Sequence, residues 1–448
     1  MRNFATHFWT RFQEAKDTTA FISPGEKGLE EETYWEWTRR VQRLALGLMD
    51  AGLKPGTRLG MVAPNSQSWL DLSAAGWLVG ACIVPLVPDR DRRETLRCLA
   101  RSGCDWIVIR DSQARHALRG QANLPDHLRW VVLEGADEDV AGLFTFQRLE
   151  ESGRVKARRG GVNELARRIY DLEPELPALI LFDPEPGEDP QGATYSGNKL
   201  AEMLAHLSAS ASFSEQSRVA VIMNYGWLSA ALFTFAALLS GKTLLMAQSL
   251  SELAGNLKTL RPTHLVCGPA FLEGQAARWL DRIEKAPEFV RRLTEGGQEG
   301  GSQTLNRALG LIGERAAQTL VYGPMMDDFG GKLEAIYVFE GPVPDEVFEI
   351  LENTNVEVLG HWGLPECGVS HMEHRGARRR GSVGRPVEGY ACKILGAKGG
   401  EEGEVLIRSD VLFDGYWAGD GPRRIEDGWL HTGVRGRIES GYLFICAR

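Results

Sequence analysis

The sequence predicts an α/β protein of helix-covered, mostly parallel sheets in two αβ subdomains, closed by a small antiparallel β subdomain near the C-terminus. Three observations predict it. Helical and strand-like stretches alternate from Thr33 to Ile109, the alternation resumes through Gly241 and Pro262, and beyond about Gly381 short strands are separated by glycine-rich turns. The units fall at about 1–175, 176–380 and 381–448.

Taken in order, Phe4, Phe8 and Phe12 recur at helical spacing and predict a helix sealed onto the body. A helix follows Thr33 and stops at Gly52, and a turn then feeds a strand ending near Ala63. Stretches 69–80 and 92–102 read as helices, 82–86, 106–109 and 129–133 as strands, and 150–163 as a polar connection. The uncharged run 219–241 is long enough on paper to span a bilayer. Asn224, Tyr225 and Gly226 split it into a buried strand at 219–223 and an apolar helix at 227–240, so it reads as core. Residues 295–303 (EGGQEGGSQ) read as a flexible loop, and 404–408, 430–432 and 442–445 as the closing strands.

Composition sets the outer limits. With 448 residues, 43% hydrophobic and 25% charged, the chain can bury a large core. A net charge of −9 argues against a nucleic-acid backbone as main partner. Seven scattered cysteines without a CxxC spacing indicate neither a disulfide framework nor a zinc site, and a reducing cytoplasm fits them. No apolar signal core opens the chain, and no transmembrane segment is expected.

The central stretch runs from an apolar strand at 178–182, through a turn-rich loop at 183–192, to a helix starting near Asn198. In many nucleotide-using enzymes such a loop is rich in Gly, Ser and Thr and carries a lysine, so that N–H groups and hydroxyls wrap a polyphosphate. Here Pro184, Pro186 and Pro190 offer no N–H, and Asp183, Glu185, Glu188 and Asp189 bring carboxylates. One carboxylate ~5 Å from a phosphate charge costs roughly 3 kcal/mol at an effective dielectric of ~20, falling below about 1 kcal/mol if it turns to solvent. The loop refuses an anion or is a solvated acidic turn; a divalent cation held by the four acids is the weaker alternative.

Four ordered segments, TYWEWTRRVQRLALGLMDAGLKPGTRLGMVAPNS, GSVGRPVEG, GEVLIRSDVLFDGYW and DGWLHTGVRGRIESGYLFICAR, resemble the large N-terminal domain of adenylate-forming enzymes, the acyl-CoA synthetase family. The similarity runs from about Phe4 to Arg448, and residues 261–331 are most similar to long-chain fatty acyl-CoA ligases. The resemblance implies an acyl-CoA-synthetase N-domain fold, and chemistry in which ATP and magnesium activate a carboxylate before transfer to coenzyme A.

Carried over position by position, the resemblance implies a degenerate site. The family's phosphate-loop lysine falls on Gln191, beyond Asp183, Pro184 and Glu185. The adenine-binding Gly-Gly-Ala-Pro segment falls on Phe339, Glu340, Gly341 and Pro342, with bulk where backbone should meet the base. The Tyr-Gly-x-Thr-Glu motif falls on Trp362, Gly363, Leu364, Pro365 and Glu366. The hydroxyl is lost at Pro365, and the magnesium-coordinating carboxylate is kept at Glu366. Val434 replaces the ribose-binding aspartate, and the aromatic or His position after the second core strand lies near Gly226. Arg448 matches the last arginine before the hinge, so the small catalytic domain with its lysine is expected to be missing.

Other candidates have plainer readings. His361, His371 and His374 with Cys367 form a loose set whose spacing matches no standard metal site, and a loop is the preferred reading. The run Arg375, Arg378, Arg379 and Arg380 could meet an anionic partner or a coenzyme A phosphate, or simply be solvated. The expectation is a protein without adenylation, without a catalytic residue or cofactor, and with a metal only if Glu366 holds magnesium. It would bind an acyl chain or acyl-CoA, a protein partner or a second copy. The alternative is a long-chain fatty acid–CoA ligase using ATP, magnesium and coenzyme A, its C-terminal domain supplied separately.

Overall fold

Alternating burial along single strands reveals the layering. In His264–Cys267, Leu265 and Cys267 face one core and Val266 another; in Ala335–Val338, Ala335 and Tyr337 face the second, Ile336 and Val338 the first. Strands buried on both faces read as continuous apolar runs, which is why the sequence shows them as such. The computed structural model describes residues 3–88, 92–119, 124, 127–135, 140–182, 189–285, 322–339, 347, 351, 354, 356–396, 400–419 and 424–447.

Three sheets form. The first runs in the order Gly415–Tyr416, Gly192–Ser196, Pro177–Phe182, Cys82–Pro85, Arg58–Val62, Trp106–Ile109, Arg129–Val132, Leu143–Thr145, parallel from Pro177–Phe182 onward. The second has a parallel centre, Glu357–Leu364, Ala335–Val338, His264–Cys267, Arg218–Ile222, Thr243–Leu245 and Thr19–Gly25. Gly28–Thr33 closes one edge of it, and Gly368–Met372 and Arg385–Pro386 close the other, all antiparallel. The third is antiparallel, built on Ala391–Ile394, Gly403–Arg408, Trp429–Glu439 and Tyr442–Ala447. The predicted fold class is observed.

Helices Gln67–Leu78 and Leu228–Leu239 lie in the core shared by the two large sheets, and all twelve residues of the second are buried. Rings join them: Phe235 sits 4.7 Å from Trp77 and 6.1 Å from Trp69, and Tyr225 is 5.2 Å from Trp69. The N-terminal helix Phe4–Glu14 adds its expected aromatic stripe, with Phe4 edge-on to Trp77 at 5.1 Å and Phe12 against Trp37 at 4.5 Å. Asn3 caps that helix through Thr6 N and donates to the carbonyls of Ile169 and Leu172. Inside the same core Asp71 accepts from the Trp37 indole and from Arg40, so its charge is paired.

Four details differ from the sequence reading. The expected polar connection at 150–163 is a kinked helix, Phe146–Lys156 and then Val162–Asp171, joined through Ala157–Gly161. Its first half lies backbone to backbone on helix Tyr34–Asp50. A Cβ on Gly153 would stand 1.7 Å from the Arg43 carbonyl oxygen, and one on Gly47 2.0 Å from that of Leu149. Charged side chains on the outer face had masked this crossing. Strand Gly192–Ser196 and the hairpin of Thr19–Gly25 with Gly28–Thr33 also went unread, and the strand expected at 430–432 extends over Trp429–Glu439. The run 219–241 divides as expected into Arg218–Ile222 and Leu228–Leu239, and among the described residues no helix is long and apolar enough to cross a membrane. The loop at 295–303 lies outside the described residues.

Because Phe235 joins both tryptophans of the neighbouring helix, Phe235→Ala is expected to lower unfolding free energy by about 3–5 kcal/mol in denaturant titration. A truncation of the exposed Leu395 should stay within about 0.5 kcal/mol.

Candidate functional site

Strands Glu357–Leu364 and Gly368–Met372 are joined by a turn whose residues are each gripped by a tyrosine. The Tyr195 hydroxyl donates to the Pro365 carbonyl at 2.6 Å, Tyr416 to Glu366 Oε1 at 2.5 Å, and Tyr390 to the Cys367 carbonyl at 2.7 Å. Phe413 N–H adds a bond to the Glu366 carbonyl at 3.0 Å. The turn is tight because Gly363 faces the Gly368 carbonyl, which any Cβ there would meet at 1.9 Å. Glu366 is only 7% exposed, and Arg424 Nη1 stands 3.7 Å from the oxygen that Tyr416 holds. Arg424 also reaches the Thr432 carbonyl at 3.4 Å. Burial and the neighbouring carboxylate raise the Tyr416 phenol above its ordinary pKa, so it stays a donor.

The segment that delivers Tyr416 is tied to the end of the central loop. Asp414 accepts from Ser196 N at 2.5 Å and pairs with Lys199 at 2.9 Å, and Trp417 N donates to the Gly192 carbonyl at 2.7 Å. Gln191 opens this strand with its side-chain oxygen buried and without a hydrogen-bond partner among the described residues. Asp189, one of the four loop acids, turns outward at 3.7 Å from Arg97, as a solvated acid does. Asp183, Pro184, Glu185, Glu188, Glu340, Gly341, Pro342 and Arg448 lie outside the described residues.

Val434 is 3% exposed and sits in the main core, its N–H donated to the Thr432 hydroxyl at 3.1 Å. Trp362 is half-buried with its ring 5.7 Å from that of His371. The structure thus brings Trp362, Gly363, Pro365 and Glu366 together on one turn with Tyr195, Tyr390, Tyr416 and Arg424. The sequence reading missed these four. The only signal was the segment GEVLIRSDVLFDGYW, whose Tyr416 served there as a family marker and not as a partner of Glu366.

Two of the histidines expected in a loop lie on paired strands, Trp362 opposite His371 and His361 opposite Met372, while His374 sits past the strand in an isolated bridge with Ala377. His361 shares a hydrogen with Ser229 at 2.6 Å beneath the rings of Phe233 and Phe339, and burial lowers its pKa to about 3. His371 bonds Ser370 and is lowered to about 3 for the same reason. Among the described residues no group of three His, Cys, Asp or Glu side chains is placed to hold a metal. The basic run is spent on the fold: Arg375 pairs with Glu334 at 3.1 Å, Arg378 donates to the Val358 carbonyl, and Arg379 pairs with Glu439 at 3.3 Å.

With this geometry in view, comparison is decisive for the fold and its family. The model of the AMP-binding enzyme matches residues 8–417. The chain belongs to the AMP-binding enzyme family. It is 24% identical over 430 residues to the long-chain-fatty-acid–CoA ligase FadD15 of Mycobacterium bovis, covering 92% of this chain and 68% of that one. It is 22% identical to the human long-chain-fatty-acid–CoA ligase ACSBG1, covering 93% of this chain and 60% of that one. Among solved structures, the N-terminal domain of FACL13 from Mycobacterium tuberculosis superposes with a TM-score of 0.70 at 19% identity over the full length of both chains. This AMP-binding family member therefore spans about two thirds of the curated relatives it matches.

Two measurements probe the turn and the strand pair it joins. Tyr195→Phe strands a buried carbonyl and is expected to cost about 1–3 kcal/mol of stability by denaturant titration, with the fold unchanged in circular dichroism. Glu373, buried at the other end of the strand pair that the turn joins, accepts from Gly360 N and Arg379 N, and burial raises its pKa from 4.5 to about 7. The folded state then holds a proton that the unfolded chain has released, so this group's contribution to stability falls as pH rises from about 4.5 to about 7. His361 and His371 act in the opposite direction, losing stability as pH drops below 6.5. The midpoint of Glu373→Gln minus that of the wild type should therefore climb across the Glu373 window in calorimetry.

Proposed function

We infer that this AMP-binding family member does not adenylate a carboxylate, and that it works by binding an acyl chain or acyl thioester in the inherited cleft, or a protein beside it. The observation that carries the reading is the state of Glu366. The carboxylate that the family resemblance assigns to magnesium is nearly buried, holds the Tyr416 hydroxyl and has the Arg424 guanidinium beside the same oxygen. A divalent ion entering there must break a short hydrogen bond and approach a fixed cation. Gln191 in place of a phosphate-binding lysine and the core valine at 434 point the same way, since neither can supply charge to a nucleotide.

A second reading, a long-chain fatty acid–CoA ligase with ATP, magnesium and coenzyme A, is favoured by the retention of Glu366 in its turn and by the names of the relatives. On that reading Tyr416 and Arg424 release the carboxylate when nucleotide arrives.

Thermal unfolding with millimolar MgATP, with and without a long-chain fatty acid, separates them, because a ligand specific for the folded state raises the midpoint. The expected outcome is no change with MgATP, a rise of about 2 °C or more with the fatty acid, and no pyrophosphate release. A MgATP-dependent rise with fatty-acid-dependent pyrophosphate release would overturn the inference in favour of the ligase. Silence to both ligands would leave the protein partner as the binding role.

A further inference from the structure

The kinked helix has an outer face that neither the cleft nor the core uses. Its inner side is anchored by Leu149, Gly153, Leu165 and Ile169, all buried, and by the backbone crossing on helix Tyr34–Asp50. Between the two halves Gly160 takes φ 87°, which turns the chain outward as a knuckle. On the outer side Arg148, Arg158, Arg159 and Arg167 are exposed and make no ion pair among the described residues. Their neighbours Arg154 and Lys156 are already paired with Glu151 and Glu164.

Apolar side chains stand among these arginines. Val155 and Val162 are each 38% exposed and Tyr170 54%, three of the eight large hydrophobic side chains that the described residues leave exposed. Residues 146–171 hold seven cations against four acids in a chain whose net charge is −9. Charge of this sign is therefore concentrated locally, on a rigid support, and mixed with apolar tips.

We propose that this face docks on an anionic lipid surface, with Arg158 and Arg159 at headgroup phosphates and Val155, Val162 and Tyr170 entering the acyl boundary. The arginines match a layer of phosphates, and Val155 and Val162 match the apolar layer beneath it. A soluble polyanion would satisfy the arginines and leave Val155, Val162 and Tyr170 in water. The docking rests on this surface alone and holds whether or not the cleft adenylates.

Co-sedimentation of the full chain with vesicles tests it. Phosphatidylcholine vesicles doped with phosphatidylglycerol should pellet the protein, pure phosphatidylcholine should not, and salt should weaken the binding. Arg158→Glu with Arg159→Glu should lower vesicle affinity about tenfold or more. Val162→Ser should lower it while keeping the salt dependence, and both variants should unfold at the wild-type midpoint because the positions are exposed. Failure of the wild type to pellet with the anionic vesicles, or unchanged binding by the charge-reversed pair, would overturn the proposal. Retention on immobilised heparin without vesicle binding would replace the lipid by a soluble polyanion.

Discussion

Three tyrosine hydroxyls converge on one turn, and the arrangement of the three sheets depends on them. Tyr195 comes from the first sheet, the turn of Pro365, Glu366 and Cys367 from the second, and Tyr390 leads into the third, while Tyr416 lies on the strand that edges the first. Each hydroxyl meets a buried acceptor that no ladder bond reaches. An unmet acceptor there would cost about 1–3 kcal/mol, so these polar groups add to apolar burial in holding the sheets together.

Two buried acids show how the same physics serves two ends. Asp71 lies in the shared core with the Trp37 indole and Arg40, where pairing makes a charge tolerable among aromatic rings. Glu366 lies on the turn with Tyr416 and Arg424, where the same kind of pairing engages a carboxylate between segments of different sheets. The first ties two helices together, and the second ties the turn to the strand Gly415–Tyr416. In both, the arginine and the ring donor come from segments remote in sequence or from another helix, so the charge is settled only on folding.

Membership of the AMP-binding family fixes the architecture without fixing the chemistry. The chain retains the turn, its glycine and its carboxylate, which are requirements of the strand pair as much as of any nucleotide. Gln191 and Val434 carry no charge. The outer helix face obeys a different constraint, since unpaired arginines beside exposed valines serve no packing purpose in the chain itself.

Much of this was legible in the sequence. The apolar runs of the parallel strands, the fully apolar helix at 227–240, the aromatic stripe of Phe4, Phe8 and Phe12, and the ordered family segments follow from local periodicity, which survives in one dimension. The strand Gly192–Ser196, the helix running past Glu150 and the strand positions of His361 and His371 did not, because their burial comes from a partner segment and not from their own composition. Gly47 and Gly153 look like ordinary helix-weakening residues until the two helices cross. Sequence by itself determined the fold class and the family, since these depend on which residues are present and in what order. Only the tertiary structure decided that Glu366 is engaged by Tyr416 and Arg424, because electrostatic pairing depends on distances of a few ångströms between residues that the chain keeps 50 or more positions apart.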